Sequence, residues 1–218
     1  QNRFGFNDFR PGQSEAIQAL LEQGRLLCIQ PTGHGKSLLY QLPSILLDGI
    51  TVVISPLLAL MRDQIMQLHK RFNITAASIN SDQTEEENAS ARILAQNGKI
   101  KILFVAPEQL DNLVQFDFLL NLPVSLIVVD EAHCISTWGH DFRPSYRQIV
   151  QLVQALEKKH AQIKVLGLTA TANDKTAEDI KLQLAGTNRP IAVHRENMDR
   201  PNIQLATFTI QGIAAKLF

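Results

Sequence analysis

Short apolar runs alternate with longer amphipathic stretches along this chain, and the alternation predicts strands and helices in turn. β-Branched and leucine residues fill the short runs with little polar alternation, which is typical of strands that are buried on both faces. Seven such strands are predicted, at residues 26–30, 51–55, 76–79, 100–106, 125–129, 164–168 and 191–194.

The amphipathic stretches between these runs predict helices that cover the sheet. In the stretch 57–71, apolar residues recur three or four positions apart, so that they share one helical face. The predicted helices are 12–21, 36–47, 57–71, 84–96, 108–119, 144–159 and 175–184. A strand followed each time by a helix indicates a single α/β domain whose mainly parallel sheet carries helices on both faces.

Composition narrows the class of protein further. The chain has 218 residues, of which 45% are hydrophobic and 19% charged, and this excludes a disordered chain. Equal numbers of basic and acidic residues, 21 of each, give no bulk charge that would attract nucleic acid. Cys28 and Cys134 match no metal-binding spacing, so we expect no zinc, and no apolar run approaches the roughly 18 residues of a membrane span.

The first candidate for chemistry is the loop between strand 26–30 and the next helix. Glycines there allow backbone N–H groups to surround a phosphate, with a lysine for the β and γ phosphates and a serine for Mg²⁺. A glycine-rich turn without function is the alternative, and Gln30 stands where the full P-loop pattern has its first glycine. The candidate residues are Thr32, Gly33, His34, Gly35, Lys36 and Ser37.

A second candidate follows the strand 125–129, where Asp130 and Glu131 precede Ala132 and His133. An acidic residue at the end of a buried strand is typical of P-loop nucleotidases, in which the aspartate holds Mg²⁺. The glutamate would orient and deprotonate the attacking water. A solvated turn is the alternative reading, but the pairing with a P-loop about a hundred residues upstream favours catalysis.

Thr169 and Thr171 follow the strand 164–168 and give a weaker signal. Their hydroxyl groups would lie near the nucleotide and hydrogen-bond the acidic segment. Taken alone, these residues are better explained by an ordinary turn and N-cap ahead of the helix that begins near Asp174, and the functional role stays open as the alternative.

Several segments in one order resemble the first RecA-like lobe of RecQ-family DNA helicases, which belong to superfamily 2. The resemblance is clearest in the aromatic-rich stretch that follows the Asp-Glu-Ala-His sequence. It implies a three-layer RecA-like P-loop domain over residues 1–198, with 199–218 crossing toward a second lobe outside this chain. The matching segments are 4–13, 55–64, 106–110, 134–146 and 199–203.

The resemblance also implies roles for individual residues. Gln13 would read the adenine edge with help from Arg10, and Phe6, where the family often has tyrosine, would stack on the ring. His133 would relay the nucleotide state toward Thr169 and Thr171. The residues implied to sense single-stranded DNA are Trp138, His140, Phe142 and Arg143.

Aromatic rings and guanidinium groups stack on bases without sequence preference, which supports the last of these roles, although core packing is the alternative for Trp138 and Phe142. His34 occupies a loop position that the family often fills with glycine, and Met198 replaces a phenylalanine. Neither change removes a catalytic group.

The predicted function is therefore an ATP- and Mg²⁺-dependent DNA helicase lobe, in the cytoplasm or the nucleus. With a second RecA-like lobe in cis it would unwind duplex DNA in the 3′-5′ direction in recombination and repair, and alone it would hydrolyse ATP inefficiently. A small-molecule kinase and a non-catalytic nucleic-acid adaptor are the alternatives from other classes. RNA also stays open as the polynucleotide, because stacking and phosphate contacts do not select the sugar.

Overall fold

Seven parallel strands form one sheet in a computed structural model that describes residues 4–5, 8–136, 145–160, 162–186 and 189–197. Each predicted strand is present, and its ends lie within two residues of the prediction. The strands are β1 (Arg25–Ile29), β2 (Ile50–Ile54), β3 (Ala76–Ile79), β4 (Ile102–Val105), β5 (Val124–Val129), β6 (Lys164–Thr169) and β7 (Ala192–Arg195).

Helices connect these strands, and one predicted helix is wrong in detail. The stretch 108–119 is not continuous: a 3-10 helix over Pro107–Asp111 ends before a separate α-helix begins. The break falls at Asn112, whose Oδ1 accepts hydrogen bonds from the backbone N–H groups of Val114 and Gln115 and so caps a new helix. The α-helices are α1 (Gln13–Gln23), α2 (Leu38–Leu46), α3 (Leu58–Phe72), α4 (Glu85–Gln96), α5 (Leu113–Leu120), α6 (Tyr146–Lys159) and α7 (Asp174–Leu184).

The strand order brings the candidate segments together at one edge of the sheet. The order is β3-β4-β2-β5-β6-β1-β7, so that β6 lies between β5 and β1. Ile29 at the end of β1 pairs with Thr169, and Val129 at the end of β5 pairs with Gly167. Since all strands run the same way, the loops that follow β1, β5 and β6 meet at the carboxyl edge.

Side chains that alternate along the inner strands fill an apolar core on both faces of the sheet. In β1, Leu27 and Ile29 pack into one core while Leu26 and Cys28 pack into the other. The prediction of an α/β domain with a parallel sheet between two layers of helices is confirmed. Within the described ranges, no helix has the length and apolar character needed to cross a membrane.

Candidate nucleotide-binding site

The loop between β1 and α2 has the backbone of a phosphate-binding loop. Gly33 and Gly35 adopt positive φ angles of 86° and 79°, a conformation that residues with a β carbon rarely take. A β carbon at Gly35 would also lie 2.7 Å from Nε2 of Gln13. The N–H of Gln30 donates to the carbonyl of Thr169 at 3.1 Å and fixes the start of the loop to β6.

Lys36 curls back over this loop. Its Nζ donates to the carbonyl oxygens of Gln30 at 3.0 Å and Pro31 at 3.3 Å. Burial lowers the pKa of Lys36, and the nearby carboxylates of Glu131 and Asp130 oppose that shift. A half-buried ammonium group held by neutral carbonyls can exchange them for phosphate oxygens, which are stronger acceptors.

Asp130 is held at the end of β5 by its neighbours on β2. Its Oδ2 accepts a hydrogen bond of 2.9 Å from the Ser55 hydroxyl, and its N–H donates to the Ile54 carbonyl. The Tyr146 hydroxyl donates to the Asp130 carbonyl at 3.3 Å. Burial raises the pKa of Asp130, while the hydrogen bond from Ser55 acts in the opposite direction. The carboxylate is therefore fixed in direction but poorly solvated.

Glu131 and His133 are joined to the segment that follows β6. Glu131 has a left-handed backbone, with φ 49° and ψ 46°, which is strained for a residue with a side chain. His133 Nδ1 lies 3.3 Å from Glu131 Oε2 and 3.0 Å from Thr169 Oγ1. Hydrogen bonds with the side chains of Cys134 and Glu131 raise the pKa of His133.

Thr169 completes this connection and fixes the direction of its hydrogen bonds. Its hydroxyl donates to the Thr171 carbonyl and accepts from the Thr171 N–H, each at 3.1 Å. Because that single proton is already donated, Thr169 accepts from an N–H at His133 Nδ1. The predicted contact between the acidic segment and Thr169 is therefore present, and the helix that follows is capped by Asn173 rather than by a threonine.

Gln13 and Arg10 contact the P-loop, which sequence reasoning did not anticipate. The buried Gln13 side chain accepts a hydrogen bond of 2.9 Å from the Arg10 N–H and donates to the carbonyls of His34 and Gly35, both at 3.1 Å. Arg10 Nη1 donates to the Gly33 carbonyl. Both N–H groups of the Gln13 amide thus have backbone acceptors, and one lone pair of its oxygen stays available.

Eight of the twelve residues predicted for the nucleotide site line one cleft of about 420 Å³ at the carboxyl edge. Ser37 and Asp130 both border it and offer the oxygen donors that Mg²⁺ prefers. Ser55, Tyr40 and Gln64 also line the cleft and were not singled out, although the match over 55–64 was a signal for two of them. The predicted residues on the cleft are Arg10, Thr32, Gly33, Gly35, Lys36, Ser37, Asp130 and Glu131.

Two further parts of the prediction concern the metal ion and the residues that would contact DNA and the adenine ring. In the part of the chain that it describes, no group of three His, Cys, Asp or Glu side chains could hold a metal ion; Mg²⁺ in nucleotide sites commonly needs only one or two protein ligands. The predicted DNA-sensing loop and adenine-stacking ring lie outside the described residues, as does the crossing segment 199–218. The individual residues concerned are Phe6, Trp138, His140, Phe142 and Arg143.

A P-loop after β1 and an Asp-Glu pair after β5, with β6 between them, define a P-loop nucleotide-binding domain of the RecA-like class. The model of the DEAD/DEAH box helicase family matches residues 10–180. The chain belongs to the DEAD/DEAH box helicase family. This match includes the P-loop, the Asp-Glu-Ala-His sequence and the Thr169 segment.

Similar proteins within this family carry RecQ-type names, which confirms the resemblance stated above. The chain is 41% identical to the probable ATP-dependent DNA helicase RecS of Bacillus subtilis, over 98% of this chain and 42% of that protein. It is 43% identical to the ATP-dependent DNA helicase RecQ of the same organism, over 83% of this chain and 30% of that protein. The chain thus spans less than half the length of these relatives.

Solved structures show the same fold. The helicase Lhr of Mycobacterium smegmatis, solved with ssDNA and AMP-PNP, has a TM-score of 0.68 at 22% identity, over 88% of this chain and 26% of that one. The Pyrococcus furiosus Hef helicase domain has a TM-score of 0.65 at 20% identity, over 88% of this chain and 38% of that one. At these identities the likeness concerns the fold alone.

Proposed function

We propose that this chain is the first motor lobe of a RecQ-type, ATP-dependent DNA helicase. The observation that carries the proposal is the convergence of Lys36, Asp130 and Glu131 on one cleft at the carboxyl edge of the sheet. Residues 1–198 would form the lobe, and 199–218 would lead to a second RecA-like lobe in cis. The two lobes together would couple ATP hydrolysis to the unwinding of duplex DNA.

Nucleotide binding follows from the geometry of the loop. The N–H groups of the P-loop and of the first turn of α2 would hold the phosphates, and Lys36 would exchange the Gln30 and Pro31 carbonyls for β and γ oxygens. Ser37 and Asp130 would hold Mg²⁺, which neutralises phosphate charge when it is bound. Gln13 would use its remaining lone pair on the adenine amino group, beside Arg10.

Glu131 would orient the attacking water and accept its proton. The left-handed backbone sets the direction of its side chain, and His133 lies 3.3 Å from the carboxylate. A protonated His133 would hold that carboxylate ionised while donating toward Thr169. A movement of the Thr169–Thr171 segment would therefore change the position of the catalytic base Glu131 through the His133 side chain.

DNA would act on the site through the segment that follows the acidic sequence. Residues 137–144 are covalently continuous with the 3-10 helix Ala132–Ile135, which holds His133. Trp138, Phe142 and Arg143 have the chemistry to stack on single-stranded bases, and His140 lies among them. The 3′-5′ direction and a role in recombination and repair come from the resemblance to RecQ-family helicases.

A phosphate-release assay tests this function in a protein that carries both lobes. We expect hydrolysis of ATP to rise at least tenfold with single-stranded DNA, more than with RNA of the same sequence. Trp138→Ala should retain ATP binding and lose most of this stimulation. A small-molecule kinase would show no response to polynucleotide and a non-catalytic adaptor would show no turnover, so either result contradicts the proposal.

This chain without a second lobe should bind nucleotide but hydrolyse little. An arginine that neutralises the transferring γ-phosphate contributes roughly 10³–10⁵ in rate, and the resemblance assigns it to the second lobe. Duplex unwinding by the 218-residue chain alone would contradict this division of labour.

A further inference from the structure

The end of β7 lies against the nucleotide site, although none of the motifs considered above includes it. β7 is an edge strand that pairs in parallel with β1, and Arg195 stands opposite Ile29, the last residue before the P-loop. One residue further, the N–H of Glu196 donates to the Ile29 carbonyl at 3.0 Å. The end of β7 therefore lies beside the end of β1, where the P-loop begins.

Two side chains from this strand end form a pair that covers the start of α1. His194 Nε2 and Glu196 Oε1 are 2.7 Å apart, and their side chains are 20% and 26% exposed. Gly12 lies directly beneath them: a β carbon there would be 1.7 Å from Glu196 Oε1 and 2.7 Å from His194 Nε2. The pair therefore occupies the space that any other residue at position 12 would need.

Gly12 is the N-cap of α1, and no side chain of its own caps that helix. Its φ of 74° turns the chain from Arg10 into the helix, and its carbonyl accepts the Ala16 N–H at 3.0 Å. A carboxylate at a helix N-terminus is favoured by the partial positive charge of the helix dipole. Glu196 places such a charge at α1 from a strand more than 180 residues away in sequence.

The residue that follows the Gly12 turn is hydrogen-bonded to the P-loop. Gln13 follows immediately, and its side chain donates to the carbonyls of His34 and Gly35. A displacement of the Gly12 turn would therefore move Gln13 and alter the backbone that is to surround the phosphates. A continuous set of contacts leads from Glu196 to this loop.

We propose that His194 and Glu196 are positioning residues that hold the Gly12 turn, and through Gln13 the P-loop, in the conformation that binds nucleotide. The inference rests on the proposed function for the identity of the ligand, an adenine nucleotide. The proposal also connects β7, the last described strand, to the segment 10–13 that would contact the adenine base. A shift of the chain beyond Glu196 would then change nucleotide affinity without any contact to the nucleotide.

Binding of a fluorescent ATP analogue to a protein that carries both lobes tests the proposal. Glu196→Ala and His194→Ala should each weaken binding roughly three- to tenfold, the range expected for a partly buried charge at a helix N-terminus. Glu196→Gln keeps the shape and an acceptor for His194, so it should restore part of the affinity. Val193→Ala is the matched control, because Val193 is exposed on the same strand and alternates to its other face.

The expected pattern is a raised KM for ATP, a reduced preference for ATP over GTP and an unchanged kcat at saturating ATP and DNA. Melting temperatures should stay within a few degrees of the wild type in all variants. Wild-type affinity and base preference in Glu196→Ala would overturn the proposal. So would an equal loss in Val193→Ala, since it would show a general effect of strand stability.

The proposed function can fail separately. A wild-type protein that binds the ATP analogue but shows no DNA-stimulated hydrolysis would overturn the helicase function. The effect of Glu196→Ala on analogue binding would still decide the positioning role.

Discussion

Partly or fully buried charges lie at both the amino edge and the carboxyl edge of the sheet, meaning the two ends of its parallel strands. The partners of these charges differ between the two ends. At the amino edge, the fully buried Arg25 forms an ion pair of 2.8 Å with Glu157 and donates to the Leu184 carbonyl at 2.6 Å. At the carboxyl edge, Lys36 and Asp130 line an open cleft and form no ion pair with each other, and each is held by neutral groups. Burial lowers the pKa of Arg25 and Glu157 opposes it, as expected for a charge matched by one dedicated partner.

This difference distinguishes a charge that stabilises the fold, Arg25, from two charges that are available to bind a ligand, Lys36 and Asp130. Arg25 bridges β1, α6 and α7 through Glu157 and the Leu184 carbonyl, so the protein itself supplies its charged partner. Asp130 has a raised pKa and Lys36 a lowered one, as Arg25 also has, but the direct hydrogen-bond partners of Asp130 and Lys36 are neutral groups. Perturbed charges that face one cleft are typical of functional sites.

The largest expected effect is on activity, at the carboxyl edge. Lys36→Ala should abolish DNA-stimulated ATP hydrolysis and weaken ATP binding about ten- to a hundredfold, because a charge-assisted hydrogen bond contributes roughly 1.5–3 kcal/mol. The melting temperature should change little, since Lys36 contacts only loop carbonyls. If Lys36→Ala still hydrolysed ATP at the wild-type rate, Lys36 would not be the residue that binds the phosphates.

A large effect on stability is expected at the amino edge. Arg25→Met should lower the free energy of unfolding by about 3 kcal/mol in urea titrations, because Glu157 loses the partner of a buried pair. The ATP affinity of the folded protein should stay unchanged.

Arg62→Met is the matched control for that substitution. Arg62 pairs with Asp82 at 3.0 Å, but both side chains are about half exposed, so its removal should cost well under about 1 kcal/mol. Equal losses in the two variants would contradict the distinction between the edges.

A smaller change of opposite sign is expected at Asp130. Because burial raises its pKa, the unfolded chain loses this proton at a lower pH than the folded protein does, and ionisation costs stability as the pH rises. Asp130→Asn should therefore stabilise the fold at pH 7 while abolishing hydrolysis. The gain should diminish toward about pH 4, where Asp130 itself is protonated.

Urea unfolding at several pH values measures this effect. A loss of stability in Asp130→Asn at neutral pH would show that the carboxylate contributes to the fold, as Arg25 does, and would remove the contrast between the edges.

Sequence reasoning predicted the inner strands of the sheet well because they are buried on both faces. A continuous apolar run such as Ile102–Val105 leaves little choice of structure, and all four of its residues are buried. The break at Asn112 was missed because the apolar pattern continues across it. Only the side chain of Asn112, which caps the new helix, marks the boundary.

The candidate site was predicted where its residues follow a strand in sequence, as Lys36 and Asp130 do. It was missed where the contact depends on tertiary structure. Ser55 reaches Asp130 from a neighbouring strand, Gln13 reaches the P-loop from α1, and Glu196 reaches Gly12 from the far end of the chain. No local pattern encodes such pairs, since they follow from the strand order.

The most direct test of the central claim, that the carboxyl edge is an ATPase site, is the Glu131→Gln variant in a protein with both lobes. Binding of a fluorescent ATP analogue and phosphate release with single-stranded DNA should be measured on the same samples. We predict wild-type affinity with hydrolysis reduced at least a hundredfold, because only the group that accepts the water proton has changed. Hydrolysis at the wild-type rate would contradict the account.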